Sequence, residues 1–491
     1  MPTARGQGLD ETCALALTAF DPAVINVAYP DDSAKYYSGA YSVLPGTRVR
    51  ITGVYPHARY MSFNVYDPQL RPVDGISDVR IGPDPGSANP FDKGADRTTT
   101  TGRDYTVFIE PGAKPADPPP NTLYASGQVG TFIYRIYIPD KGADDYGGTG
   151  LPTAQIEPAT ATARPAASPC AGVAKPTVHG INEALAAVSP PADAPTGQAS
   201  DPPVWRKFVN LLSSVAINVT GSPDPGGLDL DSAGGSGGFL SNKDNAYVSA
   251  PINRKNGRIL VTRFLAPTFP NTRPPAGTMP GGQLRYWSVC QNDPPTQRFI
   301  ACVNDDRSVL TDDGYVTIVT STTADRPPTA TEVCGVNWIP WGADAQGVLI
   351  YRNMLPDPAF TQSIQGAKVD HEAETMGEYL PVSTYYPDAA AYAAAIGCRH
   401  AVPAGDFVAA APPVTARRCA HRRRVVITLP RRARVARRVR VRIAHRHARR
   451  VRVQRHRYIV VKVPGRAGER VRVRVRRHGH VVRTRRVRVC R

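Results

Sequence analysis

The 491-residue sequence lacks several features that would point to common functional classes. No apolar run is long enough to cross a bilayer as a helix. No two cysteines have a CxxC spacing, which argues against zinc ribbons and thioredoxin-like redox motifs. The last 75 residues hold a single acid, Glu469, and one aromatic residue besides histidine, Tyr458. Because single-stranded nucleic acids are bound on aromatic platforms, this segment is not expected to bind them specifically.

What the same 75 residues do contain is positive charge. Residues 417–491 hold 29 Arg and one Lys, so their net charge is +29, while the whole chain carries +19. Residues 1–416 therefore carry −10. An acidic body followed by a strongly cationic segment predicts anionic partners. We expect an anionic cell-wall polymer or a membrane surface, with nucleic acid bound only non-specifically.

Cysteine usage indicates the compartment. The eight cysteines form an even set without metal-ligand spacing, which favours disulfides and an exported protein. The first residues place two acids before a very short apolar stretch, which is not typical of a signal peptide. We expect an extracellular or cell-envelope location, and a cytosolic protein with reduced thiols is the alternative. The sequence leaves open the partners of four cysteines, namely Cys13, Cys170, Cys334 and Cys398.

Two stretches of the body repeat the same series of motifs. In each, an Arg-Tyr-x-Ser phrase is followed by Asp eight residues after the Arg, and a later Ile-Tyr-Arg phrase is followed by Pro-Asp. The series occur in the same order over a distance much longer than a solenoid repeat, which indicates domain duplication. The like-placed pairs are Arg59 and Arg285, Asp67 and Asp293, and Arg135 and Arg352.

Short runs of β-branched and aromatic residues between Gly, Pro, Asn and Asp clusters predict strands. We therefore predict a mainly β protein with two homologous β-sandwiches, a helical or linker insertion and a small C-terminal immunoglobulin-like β-sandwich. Helices are predicted at 181–188, 204–216 and 385–396. The predicted boundaries are 14–157 for the first sandwich, 158–203 for an Ala/Pro-rich linker, 204–400 for the second sandwich with its helices, and 414–491 for the cationic module.

Three phrases of the body also carry a family resemblance: Tyr60-Met-Ser-Phe-Asn-Val-Tyr-Asp67, Asn337-Trp338-Ile-Pro, and the Tyr-Arg-x-x-x-Pro-Asp ends of both repeats. On these phrases the body resembles uncharacterised bacterial envelope proteins that carry domain of unknown function 1214. The resemblance implies a β-rich, exported protein of unknown activity. It supplies no catalytic residues.

The cationic module alternates Arg with Val, which predicts strands with valine on one face and arginine on the other. Cys419 and Cys490 bracket the segment, which predicts a disulfide between its first and last strands. This alternation of arginine and valine resembles that of arginine/valine-rich C-terminal β-modules of other secreted bacterial proteins. About six strands are expected, with a core of Val425, Ile427, Val439, Val441, Val451, Val461, Val473 and Val489. The residues predicted to bind a polyanion are Arg440, Arg442, Arg452, Arg472, Arg474 and Arg488.

Candidate sites in the body rest on the duplicated polar residues. The first interpretation is that the like-placed Arg and Asp form a buried ion pair that fixes each sandwich. The sharper hypothesis is a groove between the two repeats that binds a sugar or an anion. Its candidate ligand-binding residues are Arg59, Asp67, Arg135, Arg285, Asp293, Arg352, Trp287 and Trp338, with Tyr60 and Trp341 as further stacking surface. Cys290 and Cys302 flank a turn and are expected to join neighbouring strands by a disulfide.

No sequence motif supports catalysis, a cofactor or a metal. The leading hypothesis is a non-enzymatic envelope or secreted binding protein that docks on anionic polymers or surfaces through its C-terminal module. The alternative is a carbohydrate-active enzyme with a site where the two β-units meet, which would require paired carboxyl groups in an aromatic cleft. A third possibility, an intracellular nucleic-acid-binding protein, would require reduced cysteines.

Overall fold

The computed structural model divides the chain into two compact units, which we call the body (Met1–Phe407) and the cationic module (Val408–Arg491). The structure describes residues 29–43, 45–68, 70–159, 199–208, 240–273, 276–294 and 297–407, and the backbone of one short strand at 18–19. In the module it describes the backbone of the strands within 419–489. The prediction of a mainly β fold is confirmed.

The first sandwich of the body has a five-stranded front sheet and a four-stranded back sheet. The front sheet has the order β1 (Thr18–Ala19), β2 (Ala34–Ser42), β8 (Val129–Pro139), β4 (Ala58–Tyr66), β5 (Pro72–Ser77). The back sheet has the order β7 (Thr122–Ala125), β6 (Asp104–Pro111), β3 (Thr47–Val54), β9 (Thr153–Pro158). Neighbouring strands are antiparallel except β6 and β7, which are parallel.

The second sandwich repeats this arrangement. Its front sheet has the order β10 (Arg206–Phe208), β11 (Asn245–Asn253), β18 (Gln346–Pro356), β13 (Leu284–Asp293), β14 (Arg298–Asn304). Its back sheet contains β19 (Val382–Tyr386), β12 (Ile259–Leu265), β16 (Tyr315–Ser321), β15 (Val309–Thr311) and β20 (Ala401–Pro403) in that order, and β17 (Asn337–Pro340) pairs in parallel with β16.

The two front sheets agree in register as well as in strand order. In the first, Ser62 of β4 lies opposite Arg135 of β8, and in the second, Ser288 of β13 lies opposite Arg352 of β18. Like-placed residues of the two repeats therefore occupy equivalent positions, as the repeated motifs predict. The duplication is visible in the topology of the body.

Each sandwich buries its core between its own two sheets. In β4, Met61, Phe63 and Val65 face the first core, and in β13, Trp287 and Val289 face the second. The intervening residues of these strands are buried as well, so every residue of β4 is buried. Since a strand exposes one face unless both are covered, the outer face of the front sheet must also be packed against another layer.

The helix predictions are corrected by the structure. Residues 206–208 form strand β10 rather than the start of a helix over 204–216, because Trp205 packs into the second core and the next residues pair with β11. In the predicted helix 385–396, Tyr385 and Tyr386 belong to β19, and the helix α2 is limited to Ala389–Ala395. A further short helix, α1, spans Glu372–Met376. The predicted helix at 181–188 lies outside the described residues, as does most of the predicted linker.

The cationic module contains a five-stranded sheet and a two-stranded sheet. The first has the order β21 (Cys419–Ala420), β27 (His480–Val489), β26 (Arg470–Arg477), β23 (Arg438–Ile443), β24 (Arg449–Arg452), and the second pairs β22 (Arg424–Thr428) with β25 (Tyr458–Lys462). The prediction of about six strands is close to the seven found. The first and last strands, β21 and β27, are neighbours, while Cys490 lies outside the described residues.

Among the helices of the described residues, none has the length and apolar character required to cross a membrane.

Candidate functional site

The outer faces of the two front sheets pack against each other inside the body. Tyr60 and Tyr137 of the first sandwich meet Tyr286 of the second, with ring centroids 5.6 Å apart for Tyr60–Tyr137 and 5.2 Å apart for Tyr137–Tyr286. Met354 completes this apolar centre from the second sandwich. The duplicated polar residues surround it, so the place where the repeats meet is a packed interface.

Two ion pairs cross this interface in a reciprocal pattern. Arg59 of the first sandwich donates from Nη1 to Asp305 Oδ1 of the second at 2.5 Å, and from Nη2 to Asp306 Oδ1 at 3.0 Å. Arg285 of the second sandwich donates from Nη1 to Asp78 Oδ1 and Oδ2 of the first, at 3.2 and 3.3 Å. Asp78 directly follows β5 and Asp305 directly follows β14, so the two acids occupy equivalent positions.

The second oxygen of each of these acids is bound inside its own sandwich. The backbone N–H of Met61 donates to Asp78 Oδ2 at 2.9 Å, and that of Trp287 donates to Asp305 Oδ2 at 3.0 Å. Burial raises the pKa of Asp305 to about 6, against the opposing effect of the Arg59 guanidinium. Burial likewise raises the pKa of Asp78, which the charge of Arg285 opposes.

The predicted pairing of Arg59 with Asp67 and of Arg285 with Asp293 is therefore wrong. Asp67 accepts hydrogen bonds from Arg71, from N at 2.9 Å and from Nε at 2.6 Å, in the turn between β4 and β5. Asp293 lies opposite Arg298 where β13 pairs with β14. The arginines instead reach acids of the opposite sandwich, because they lie on the outer side of the front sheets.

The second duplicated pair, Arg352 and Arg135, defines two half-sites of the interface that differ in charge. In the first half-site, Arg352 donates to Asp31 of the other sandwich, which lies three residues before Ala34, the first residue of β2. Asp31 Oδ1 also accepts from Tyr286 Oη at 2.8 Å, and its Oδ2 accepts from Ser288 Oγ at 2.6 Å. This buried carboxylate therefore has three side-chain donors.

In the second half-site, Asn242 occupies the position that corresponds to Asp31, three residues before the first residue of its strand, β11. Asn242 Nδ2 donates to Tyr60 Oη at 2.8 Å, as expected for the counterpart of a residue that contacts Tyr286. Arg135 is 2% exposed and donates from Nη2 to the carbonyl of Leu240. Its Nη1 makes no hydrogen bond to any residue in the described part of the chain. The carboxylate of the first half-site is thus replaced by a neutral amide.

The tryptophans proposed as stacking surface do not lie at this interface. Trp287 and Trp341 are fully buried within the second sandwich, where their Nε1 atoms donate to the carbonyls of Pro267 at 3.0 Å and Ala345 at 3.2 Å. Neighbouring residues of a strand point to opposite faces, so Trp287 enters the core while Tyr286 reaches the interface. Trp338 is half-buried on β17. The aromatic residues of the apolar centre of the interface are tyrosines, and only Tyr60 among them was expected from the sequence.

Two disulfides lie in the second sandwich. Cys290 and Cys302, the pair expected to join neighbouring strands, are bonded and lie directly opposite each other on β13 and β14. Cys334 and Cys398, whose partners the sequence left open, form the other bond. Asp31 lies close to the sulfurs of Cys290 and Cys302. Because those sulfurs are bonded to each other and the cation of Arg352 adjoins the carboxylate, this group is not suited to a metal ion.

The register of the cationic module places arginine opposite arginine across its central strands. Arg442 of β23 pairs with Arg474 of β26, and Arg472 of β26 pairs with Arg486 of β27. Alternate residues share one face of a sheet, and directly paired residues share it too. One face of the sheet therefore includes all six predicted polyanion-binding positions, Arg440, Arg442, Arg452, Arg472, Arg474 and Arg488.

The known proteins that match this chain are solved structures. No family model and no curated protein matches the chain. Among solved structures, an uncharacterised protein from Burkholderia cenocepacia is similar over 73% of this chain and 77% of its own, with 14% identity and a TM-score of 0.41. The VPA0106 protein from Vibrio parahaemolyticus is similar over 73% of this chain and 90% of its own, with 12% identity and a TM-score of 0.36.

Proposed function

We propose that this is a non-enzymatic binding protein of the cell envelope or the extracellular space, whose cationic module docks on anionic polymers or surfaces. The observation that carries the proposal is the register of the module, which brings arginine positions of β24, β23, β26 and β27 onto one face. Like charges placed opposite each other on a sheet are destabilising. A surface of this kind is favourable when counter-ions or an anionic partner neutralise it.

Arginine suits this role better than lysine would. Its guanidinium group stays charged at any physiological pH and forms forked hydrogen bonds to phosphate or carboxylate. Successive arginines on one strand are two residues apart, a spacing of roughly 6.6–6.8 Å. Such a ladder fits a polymer with a repeating anionic group. A row of charges along each strand supports a polyanion as the ligand rather than a single small anion.

The body supports a scaffold role better than the enzyme hypothesis. At the interface, each of the acids Asp31, Asp78 and Asp305 forms an ion pair with an arginine and accepts further hydrogen bonds. Acids held in this way fix the two sandwiches to each other. The two disulfides of the second sandwich are consistent with an oxidising compartment, and they support the proposed export.

The test uses the full chain with Arg440, Arg442, Arg472 and Arg474 all replaced by Gln. Binding to fluorescently labelled long-chain polyphosphate would be followed by anisotropy over a series of NaCl concentrations. Release of counter-ions makes the logarithm of the binding constant fall linearly with the logarithm of salt concentration. Removing four contacts should lower that slope by about 3 and weaken binding at every salt concentration.

The matched control removes four positive charges from exposed positions of the body, by changing Lys93, Lys141, Lys255 and Lys368 to Gln. This control should retain most of the affinity, because the binding face is unchanged. A second variant with Lys at the four arginine positions should bind more weakly than the wild type and more strongly than the Gln variant. Equal losses in the Gln variant and the control would refute a binding face on the module.

A further inference from the structure

The two half-sites of the interface hold different charges although they are built from corresponding residues. Arg352 pairs with the carboxylate of Asp31, whereas in the half-site of Arg135 the position equivalent to Asp31 holds Asn242, whose Nδ2 donates to Tyr60 Oη. Both arginines are almost completely buried, at 3% and 2% exposure. Among the residues that the structure describes, the first half-site pairs its arginine with an acid, and the second has no acid in an ion pair with Arg135. This difference follows from the single exchange of Asp for Asn between the repeats.

The described neighbours of Arg135 are aromatic rings, hydroxyl groups and a backbone carbonyl. The guanidinium carbon lies 5.5 Å from the ring centroid of Tyr36 and 5.7 Å from that of Tyr66. Tyr66 Oη donates to the carbonyl of Ser241 at 2.9 Å. These rings and carbonyls lower the electrostatic cost of the buried cation, but they carry no full negative charge. A buried arginine cannot lose its proton, so it retains its charge.

The one carboxylate in the adjacent segment is directed elsewhere. Asp244 Oδ2 accepts from Tyr60 Oη at 2.8 Å, and Asp244 Oδ1 accepts from Arg80 Nη2 at 3.3 Å. The carboxylate of Asp244 is therefore already matched by the cation of Arg80. Nη1 of Arg135 is left as a buried donor with no partner among the described residues.

We infer that the Arg135 half-site binds a small monovalent anion of the size of chloride. The required charge is −1, because that is what Asp31 supplies to the equivalent arginine. The anion must be small, because the half-site is enclosed by the rings of Tyr36 and Tyr66 and by the Leu240 segment. Its ligand would be Nη1 of Arg135, the buried donor that has no partner among the described residues. This site is independent of the polyanion-binding face proposed above.

The inference predicts stabilisation by chloride that depends on the half-site. The thermal unfolding midpoint of the full chain would be measured in NaCl and in sodium gluconate at equal ionic strength, since gluconate is too large for the site. The wild type should have the higher midpoint in chloride. Asn242→Asp supplies the missing carboxylate to Arg135, so the difference between the two salts should disappear in that variant.

The control for added charge is Gln128→Glu, which introduces the same negative charge at an exposed position of the first sandwich. It should keep the chloride effect of the wild type. A direct readout is anomalous diffraction from crystals of the wild type soaked in bromide, with a peak expected within hydrogen-bonding distance of Arg135 Nη1. The inference is overturned if that peak is absent, or if wild type and Asn242→Asp respond equally to chloride.

Discussion

Arg59 of the first sandwich and Asp305 of the second form a fully buried ion pair with a 2.5 Å separation between Nη1 and Oδ1. The two residues are 246 positions apart in the chain. Each has a counterpart in the other repeat, and the second pair, Arg285 with Asp78, has the roles of the sandwiches exchanged. The interface of the body is thus held by a duplicated bond that neither repeat can form alone.

The Arg59–Asp305 pair should show strong energetic coupling. Arg59→Met should lower the free energy of unfolding by about 3–5 kcal/mol, because it leaves the buried carboxylate of Asp305 without its counter-charge. Asp305→Asn should cost less than Arg59→Met, because Arg59 keeps its ion pair with Asp306. The double variant should lose much less than the sum of the two. Urea unfolding of the four proteins gives the coupling energy, which is expected to exceed about 1 kcal/mol.

An exposed pair provides the comparison for this cycle. Arg258 and Asp325 lie 3.5 Å apart, with Arg258 largely exposed. The corresponding cycle should give a coupling energy of about 0–1 kcal/mol, since water and salt screen the pair. If both cycles gave equal coupling, burial would not be what strengthens the interface pair.

Asp31→Asn should be far more damaging than the same change at its neighbour. Asp31 is buried and accepts from Arg352, Tyr286 and Ser288, so its replacement leaves the guanidinium without a counter-charge at a cost of about 3–5 kcal/mol. Asp32 pairs with Arg307 near the surface, and Asp32→Asn should cost about 1 kcal/mol or less. Thermal unfolding of both variants tests this, and similar midpoints would contradict it.

The stability of the body should depend on the titration of Asp305. Its pKa is about 6 in the folded state, above the ordinary value of 3.8 that applies when the chain is unfolded. The folded state therefore binds the extra proton, so the stabilisation is fully present below pH 3.8 and is lost as pH rises through 6. The loss attributable to this group is on the order of 3 kcal/mol at most.

That contribution can be isolated with Asp305→Asn, which removes the titrating group. Urea unfolding between pH 4 and 7 should give a shallower decline of stability with rising pH for this variant than for the wild type. Parallel curves over the whole range would show that Asp305 does not titrate there.

Removal of the two disulfides should have unequal effects. The Cys334–Cys398 bond spans a sequence separation of 64 residues and the Cys290–Cys302 bond one of 12. The longer loop gains more freedom in the unfolded chain, so replacing the first pair by Ala should cost about 4 kcal/mol and the second about 3 kcal/mol. Chemical unfolding of both double variants measures the difference, and the reverse order would disagree with the loop-length argument.

The strands and the duplication could be predicted from the sequence because both depend on local patterns of residues. The phrases around Arg59 and Arg285 predict equivalent strands, and β4 and β13 occupy equivalent places in their sheets. The disulfide between Cys290 and Cys302 also followed from sequence proximity across a turn. By contrast, the apolar residues after Trp205 recur at helical spacing, which predicts a helix. Residues 206–208 form a strand instead, because they pair with β11.

The partners of the duplicated arginines could not be inferred in the same way. No feature of the neighbouring sequence distinguishes Asp67 from Asp305. Asp67 pairs with Arg71 within a turn, whereas Asp305 pairs with Arg59 across the interface. Asp305 is recognisable only as the counterpart of Asp78, and that correspondence requires the ends of β5 and β14 to be aligned. Alignment of the segments before β2 and β11 would likewise have revealed the exchange of Asp31 for Asn242.

By itself, the sequence determined the strand-rich character, the internal repeat and the opposite charges of the body and the module, because these follow from composition and periodicity. Only the tertiary structure decided that the repeats are joined through their front sheets and which acids neutralise Arg59, Arg285 and Arg352. It also decided that, within the described part of the chain, Arg135 forms no ion pair. The physical reason is that an ion pair depends on the distance between two side chains in space. For residues more than 200 positions apart, that distance is set by sheet packing.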